Sequence, residues 1–287
     1  MGIAEIIPGV SGGTIAFITG IYEELINSIK SINTNTLKLL ITFKFSAFWR
    51  AVNGTFLITL IFGMLTSILV LSRFIVYLLD DHPFKIWGFF FGLIIASGIL
   101  IFYQIQKIGI AVLLSFVIGL SIASYISLQA PSITPNTNFF IFLSGAIAIS
   151  AMILPGISGS FILVFLSKYE FILKALNSFD TAVISIFLAG CIVGLVTFSR
   201  VLSYLFKKYS DVVIGVLIGF LGGSLFKIWP FYEVLEYNSS NEPIYTTPIL
   251  PTANQSNDLI FFFTFVVIGF ISMWVLEKKF IGLNKEI

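Results

Sequence analysis

Residues 4–13 read AEIIPGVSGG, and residues 151–160 read AMILPGISGS. Both lie in apolar stretches that are broken by Pro-Gly and then by Ser-Gly, and both are followed by a Tyr-Glu pair, at Tyr22 and Tyr169. Ser-Arg pairs match further downstream after a shift of register. Apolar sequence readily gives chance matches of Leu and Ile, but it does not readily give collinear matches of these pairs. The sequence therefore predicts an internal duplication.

The composition indicates a membrane protein. The chain of 287 residues is 57% hydrophobic and only 10% charged, with a mean hydropathy of +1.03. Soluble domains carry roughly 25% charged residues, and a soluble domain with so little charge would expose large apolar patches. The net charge of +2 gives no footprint for nucleic acid. No cleavable signal peptide is expected, because Pro8 and Gly9 interrupt the first apolar stretch.

Six stretches are long and apolar enough to span a bilayer, which takes about 20 residues each. They run near Thr55–Leu79, Phe84–Tyr103, Gly109–Leu128, Ala182–Phe206, Asp211–Phe231 and Leu259–Leu276. Two further apolar stretches, Gly2–Ile29 and Phe139–Leu173, contain the Pro-Gly breaks. Each broken stretch is followed by three of the predicted spans.

Loop charge predicts the orientation. Lys and Arg cluster in residues 30–50, at 107, at 207–208 and in the tail, which the positive-inside rule places in the cytoplasm. This works only if each broken stretch enters and leaves on the same side, so that the two halves have opposite topology. We therefore predict an all-α polytopic membrane protein with two inverted-topology repeats, residues 1–128 and 129–287. Each repeat has a broken re-entrant helical hairpin followed by three transmembrane helices.

The breaks are the first candidate binding site. Backbone groups freed at membrane depth must be buried in protein or line a cavity. The half-helix after each break presents its N-terminal amides, which attract anions. The predicted substrate-binding residues are Ser11, Gly12, Gly13, Ser158, Gly159 and Ser160, and the structural breaks are Pro8, Gly9, Pro155 and Gly156. The alternative is that the hairpins only pack, with serine as a helix cap.

Two arginines within the spans are further candidates for substrate binding. Arg73 and Arg200 follow serine at matching positions of the two halves, and the guanidinium fork suits phosphate or carboxylate. Arginine in hydrocarbon usually faces a cavity or a partner. The alternative is that each side chain extends to the interface, or forms a salt bridge to Asp80 or Glu170.

Three glutamates are candidates for coupling. Glu23 and Glu170 follow the matching tyrosines and could carry protons or pair with the arginines. They could instead be anchors at the interface, with tyrosine at headgroup depth. Glu5 has no acidic counterpart, because Met152 stands at the matching position. Coupling to protons or to sodium stays open.

Catalysis and cofactors are not expected. Gly9–Gly13 fits the G-x-S-x-G nucleophile pattern, but a serine nucleophile needs a base, and the sole histidine, His82, is predicted outside the bilayer. The second copy ends in Ser160, which breaks the pattern. The scarcity of Cys and His argues against a metal site of those ligands, and no P-loop is present. The sequence therefore favours a transporter over an enzyme.

The motif from Glu5 to Thr14 with Tyr22-Glu23, and the motif from Leu154 to Ser160 with Tyr169-Glu170, resemble those of a bacterial membrane family. That family, formerly a domain of unknown function, is regarded as polyprenyl-phosphate (undecaprenyl-phosphate) translocases. The resemblance implies a lipid flippase of the plasma membrane that serves cell-wall biogenesis. It would return the lipid carrier undecaprenyl phosphate from the outer to the cytoplasmic leaflet. The family usually has Asp at the position of Glu5 and a further apolar stretch before the first motif, so the resemblance suggests a start upstream of Met1.

Without the resemblance, the residues indicate only an anion-binding site between inverted repeats. A secondary transporter of a small organic or inorganic anion stays open as the alternative, and a scaffold for other membrane proteins is a third reading. A small-anion transporter needs a closed polar path, whereas a lipid carrier needs a groove that is open sideways. The oligomeric state is not predicted.

Overall fold

The structure is a computed structural model that describes residues 1–6, 11–129, 132, 134–237, 243–252 and 255–280. It is mostly helical. The elements in chain order are α1 (Gly2–Ile6), α2 (Gly12–Ile18), α3 (Tyr22–Lys30), α4 (Thr34–Ile41), α5 (Phe45–Ala51), α6 (Gly54–Asp81), α7 (Pro83–Phe102), α8 (Ile110–Leu128), α9 (Asn138–Ile153), α10 (Gly159–Phe165), α11 (Tyr169–Asn177), α12 (Thr181–Ser224), β1 (Tyr232–Tyr237), β2 (Pro243–Pro248) and α13 (Ser256–Phe280).

Five helices in the described residues are long and apolar enough to cross a membrane: α6, α7, α8, α12 and α13. A helix of 44 residues such as α12 would be about 66 Å long if straight, about twice the thickness of the hydrocarbon core. Tyr209 divides it, because its backbone dihedrals (φ −138°, ψ 45°) are not helical. The two parts, residues 181–208 and 210–224, correspond to two of the predicted spans. The second is shorter than predicted, since the helix ends at Ser224 instead of Phe231.

The short elements after each break repeat in length and spacing. Helices α2 and α10 have seven residues each, and α3 and α11 have nine each. The turns between them contain Gly20 (φ 75°) and Ser167 (φ 53°) at matching positions. The two broken stretches therefore fold into the same succession of short helices.

The long helices repeat in the same way. Helix α6 and the first part of α12 both end at a residue with extended φ, His82 (φ −138°, ψ 48°) and Tyr209 (φ −138°, ψ 45°). Small residues at matching positions then allow close packing between the halves. A Cβ on Gly92 of α7 would clash with the carbonyl of Val266 on α13, and a Cβ on the matching Gly219 of α12 would clash with the carbonyl of Phe116 on α8. The helix that follows His82, α7, thus packs against α13, the last long helix of the other half. The part of α12 that follows Tyr209 likewise packs against α8.

The first long helix of each half is covered differently. Helix α9 packs along the first part of α12, where a Cβ on Gly190 would clash with the carbonyl of Phe142. The matching glycine of α6, Gly63, has no atom within 4 Å of such a Cβ. It lines an apolar groove of about 550 Å³ together with Met1 and Gly2, among others.

A β-hairpin that the sequence analysis did not predict lies between α12 and α13. Its strands β1 and β2 pair antiparallel, with Tyr232 opposite Pro248. The indole N–H of Trp229 donates a hydrogen bond to the carbonyl of Ile249 (3.0 Å), and the Trp229 ring packs against Phe91 and Phe262. These aromatic contacts hold the hairpin against α7 and α13.

The distribution of apolar residues is that of a membrane protein. The interior contains residues of both halves, among them Ala16, Ile94 and Leu217, each at most 1% exposed. The outer faces of the long helices are also apolar, with Phe62 71% and Leu69 79% exposed. A soluble protein rarely exposes such contiguous apolar surface, so these faces are suited to contact lipid.

Candidate functional site

The two broken hairpins contact each other directly in the interior. The hydroxyl of Ser11 donates a hydrogen bond to the carbonyl of Met152 (3.0 Å). The hydroxyl of Thr14 accepts one from the backbone N–H of Gly156 (2.9 Å). Ser11 and Thr14 are fully buried, and a Cβ on Gly13 would clash with the carbonyl of Ile153. Polar backbone freed at one break is thus partly satisfied by side chains of the other.

In the first hairpin, the first two backbone N–H groups of α2 donate hydrogen bonds to side chains of the same hairpin. The hydroxyl of Ser11 accepts a hydrogen bond from the N–H of Gly13 (3.0 Å), as expected for a helix cap. The carboxylate of Glu5 accepts one from the N–H of Gly12 (2.8 Å). A Cβ on Gly12 would clash with that carboxylate. The predicted breaks Pro8 and Gly9 lie outside the described residues.

The second hairpin has a different arrangement. Helix α9 ends at Ile153, and Gly156 has a positive φ of 84°. Pro155 lies in the turn between α9 and α10, because α10 begins only at Gly159. The hydroxyls of Ser158 and Ser160 are hydrogen-bonded to each other (2.8 Å), and Ser158 makes no side-chain cap.

Gly159 serves packing within the second hairpin. A Cβ there would lie 2.8 Å from the carbonyl of Ala148 on α9. The glycine therefore lets α10 lie against α9, which is a close approach of backbone to backbone. The same holds for Gly13 between the two hairpins.

A small cavity adjoins the second hairpin. It has a volume of about 10 Å³ and is lined by Gly156, Ser158, Phe161, Ser127 and Lys227, among others. The ammonium of Lys227 lies 4.5 Å from the centre of the Phe161 ring. Lys227 is not among the residues predicted from the sequence, because it lies inside the predicted span Asp211–Phe231 and has no counterpart in a motif.

The structure does not bring the two arginines to the hairpins. Arg73 on α6 and Arg200 on α12 are both exposed, while the preceding Ser199 is fully buried. Within the described part of the chain, neither guanidinium has a hydrogen bond or an ion pair. The salt bridges considered above are not formed there: Glu170 instead pairs with Lys174 (3.6 Å).

The glutamates that follow the matching tyrosines lie in different surroundings. Glu23 is exposed and lines a small cavity with Asn27, Ser203 and Lys207, among others. Tyr22 is 1% exposed, and its hydroxyl has no hydrogen-bond partner in the described residues. Tyr22 therefore lies inside the protein, whereas Tyr169 is 40% exposed. No group of three His, Cys, Asp or Glu side chains in the described residues could hold a metal ion.

Two apolar grooves adjoin each other on the surface formed by α7, α8 and α12. The larger, about 810 Å³, has Phe91, Phe226 and Trp229 in its lining and reaches Leu250 after β2. The smaller, about 310 Å³, reaches Phe102 and Tyr103 at the other end of α7. Gly222 and Leu225 line both. We call the two together the α7–α8–α12 groove.

The apolar outer faces and the five long apolar helices define a multi-pass membrane protein, as predicted. The chain belongs to the undecaprenyl phosphate translocase-like family, whose profile matches residues 1–244. This confirms the resemblance seen in the two motifs.

Two relatives with known names are similar over most of the chain. A polyprenyl-phosphate transporter of Vibrio cholerae is 46% identical over 246 residues, which cover 85% of this chain and 80% of the relative. A polyprenyl-phosphate transporter of Staphylococcus aureus is 33% identical over 253 residues, covering 80% of this chain and 83% of the relative. No solved structure matches the chain.

Proposed function

We propose that this protein is a transporter, and not an enzyme, that carries polyprenyl phosphate across the bacterial plasma membrane. The expected substrate is undecaprenyl phosphate, and the expected direction is from the outer to the cytoplasmic leaflet, in the service of cell-wall biogenesis. Membership of the family and the names of both relatives support the substrate class. The direction follows from the resemblance described above.

The α7–α8–α12 groove is the observation that carries the proposal. It lies on the surface, where Tyr103 is 73% and Leu250 86% exposed, and its lining is almost entirely apolar. A long prenyl tail gains by burial in such a groove, at about 0.8 kcal/mol for each buried CH₂. A transporter of small anions, the alternative, has no use for an apolar groove of this size.

The headgroup site in this proposal lies at the two hairpins. Ser11, Gly12 and Gly13 of the first and Ser158, Gly159 and Ser160 of the second are near the direct contact between the breaks. The halves would be inverted repeats whose re-entrant hairpins alternate between the two sides of the membrane. Glu5 would leave the amide of Gly12 when phosphate arrives, since both are anionic and compete for the same donor.

Arg73 and Arg200 complete the proposed path. Their exposed positions on α6 and α12 suit the capture of a headgroup at one surface and its release at the other. Coupling to a proton or sodium gradient would involve Glu5, Glu23 or Glu170. Each of these roles needs its own variant, as described in the Discussion.

Ligand-induced thermal stabilisation of the purified protein tests the substrate class. Polyprenyl phosphate should raise the melting temperature, because a ligand that binds only the folded state stabilises it. The prenol of the same chain length should do so less, and inorganic phosphate least. Equal stabilisation by inorganic phosphate and polyprenyl phosphate would favour the small-anion alternative.

A further inference from the structure

Lys227 is a cation that forms no ion pair with any of the described residues. It follows the end of α12 at Ser224 and is only partly exposed. Within the described residues its ammonium has no hydrogen bond or ion pair, and its contact is with the face of the Phe161 ring. An ammonium that is partly withdrawn from water loses hydration, and an anion nearby would compensate for that loss.

Another lysine on the same predicted side of the membrane shows what a structural role looks like. Lys168 is fully buried, and its ammonium donates hydrogen bonds to the carbonyl of Thr134 (2.6 Å) and to the side-chain oxygen of Asn136 (2.7 Å). It thereby ties the segment before α9 to the end of the second hairpin. Lys227 has no such polar partners among the described residues.

The surroundings of Lys227 complement an anion. The cavity beside it contains the hydroxyl-bearing side chains of Ser127 and Ser158, and none of the described residues that line it carries a carboxylate. Hydroxyls can donate hydrogen bonds to phosphate oxygens, and a lysine ammonium binds phosphate as a point charge.

Two short segments, residues 120–128 and 222–229, contribute side chains both to the cavity and to the larger of the two apolar grooves. Ser127 lines the cavity and Leu128 the groove; Lys227 lines the cavity, while Phe226 and Trp229 line the groove. A cation and an apolar groove thus lie side by side. This pairing fits a molecule with one anionic end and a long apolar chain.

We propose that Lys227 binds the phosphate headgroup of a prenyl phosphate beside the second hairpin, while the tail occupies the α7–α8–α12 groove. This rests on the proposed function for the class of substrate and adds a residue that no motif indicates. The cavity of about 10 Å³ has room for about one water molecule. Binding therefore requires the flexible side chain of Lys227 to move away from Phe161 and open the site.

Binding of farnesyl phosphate and of farnesol, which share a tail and differ in the phosphate, tests this proposal. Lys227→Met removes the charge and keeps an unbranched apolar side chain. It should weaken binding of farnesyl phosphate by about tenfold or more, the effect of losing a charged hydrogen bond, and leave farnesol binding unchanged. Lys227→Arg should retain most of the preference for farnesyl phosphate over farnesol.

Lys85→Met is the matched control. The ammonium of Lys85 also lies over a phenylalanine ring, 5.2 Å from the centre of Phe261, but it does not line the cavity beside Ser158. This variant should bind farnesyl phosphate like the unmodified protein. Lys227→Gln serves in the same assay if the methionine variant does not give a monodisperse protein.

The outcomes separate this inference from the proposed function. If the unmodified protein does not prefer farnesyl phosphate to farnesol, the proposed function itself is contradicted. If it does, and the uncharged Lys227 variants bind farnesyl phosphate with full affinity, the role of Lys227 is overturned and the function stands. Binding of inorganic phosphate as tight as that of farnesyl phosphate would overturn the link between cation and groove.

Discussion

The hydroxyl of Ser11 donates a hydrogen bond to the carbonyl oxygen of Met152, 141 positions further along the chain and 3.0 Å away. This hydrogen bond joins the two broken hairpins. A second one, from the backbone N–H of Gly156 to the hydroxyl of Thr14, also joins them. Movement of either hairpin would therefore displace groups of the other. In the proposed transport cycle, this contact would connect the halves when the headgroup passes between them.

Gly13→Ala should destabilise the contact between the hairpins. The added methyl group would clash with the carbonyl of Ile153, and overpacking of this kind costs about 1–3 kcal/mol. We expect a lower melting temperature in detergent and reduced transport. Gly63→Ala is the control, because nothing lies within 4 Å of its added Cβ. An unchanged melting temperature for Gly13→Ala would show that the hairpins do not pack as described.

Cysteine labelling tests the inverted topology. Asn35, in α4, and Thr137, just before α9, are exposed. They lie in segments outside the predicted spans, and the charge pattern predicts opposite sides of the membrane for them. In a Cys191→Ser background, a membrane-impermeant maleimide added to intact cells should label Thr137→Cys and spare Asn35→Cys. Both should react after solubilisation, which is the control for reactivity. Equal labelling of the two in intact cells would rule out the inverted arrangement.

Substitution of the arginines distinguishes phosphate binding from simple extension to the interface. If the guanidinium fork matters, Arg73→Lys and Arg200→Lys should each lower transport strongly, and alanine should be at least as damaging. A charged hydrogen bond is worth about 1.5–3 kcal/mol, or about tenfold to more than a hundredfold in binding. Arg50→Lys, in exposed helix α5, is the control. Near-normal transport by both lysine variants would remove the arginines from the path.

Glu5→Gln tests coupling without removing the helix cap. The amide oxygen of glutamine can still accept the hydrogen bond from Gly12, so the protein should fold. If Glu5 is the coupling group, transport should no longer respond to an imposed pH or sodium gradient. Glu24→Gln is the matched control, since the Glu24 carboxylate also accepts one hydrogen bond, from Asn53 (2.8 Å), at an exposed position. A normal gradient response in Glu5→Gln would assign coupling elsewhere.

Local sequence predicted the long apolar helices, although not the β-hairpin. Pro-Gly breaks, spans of about 20 apolar residues and the collinear motifs each depend on neighbouring residues alone. The predicted start of the first span, Thr55, lies one residue from the start of α6 at Gly54. The end of α12 at Ser224 could not be predicted in this way. The mostly apolar sequence continues to Phe231, which belongs to the aromatic cluster next to the β-hairpin.

Contacts across the chain could not be predicted in the same way. Nothing near Ser11 indicates that its partner is Met152, and nothing near Tyr22 indicates that it is buried between Phe17 and Phe206. Lys85, Lys168 and Lys227 lie on the side predicted to be outside, against the charge pattern that sets the orientation. Lys168 is explained by its hydrogen bonds, and only the cavity beside Lys227 makes that residue a candidate for the site.

Transport of a fluorescent polyprenyl phosphate between the leaflets of proteoliposomes tests the central claim most directly. The account predicts that the purified protein moves this lipid from one leaflet to the other, that Gly13→Ala slows it, and that Gly63→Ala does not. The same vesicles should take up no labelled inorganic phosphate beyond the protein-free background. Uptake of inorganic phosphate without movement of the lipid would contradict the account.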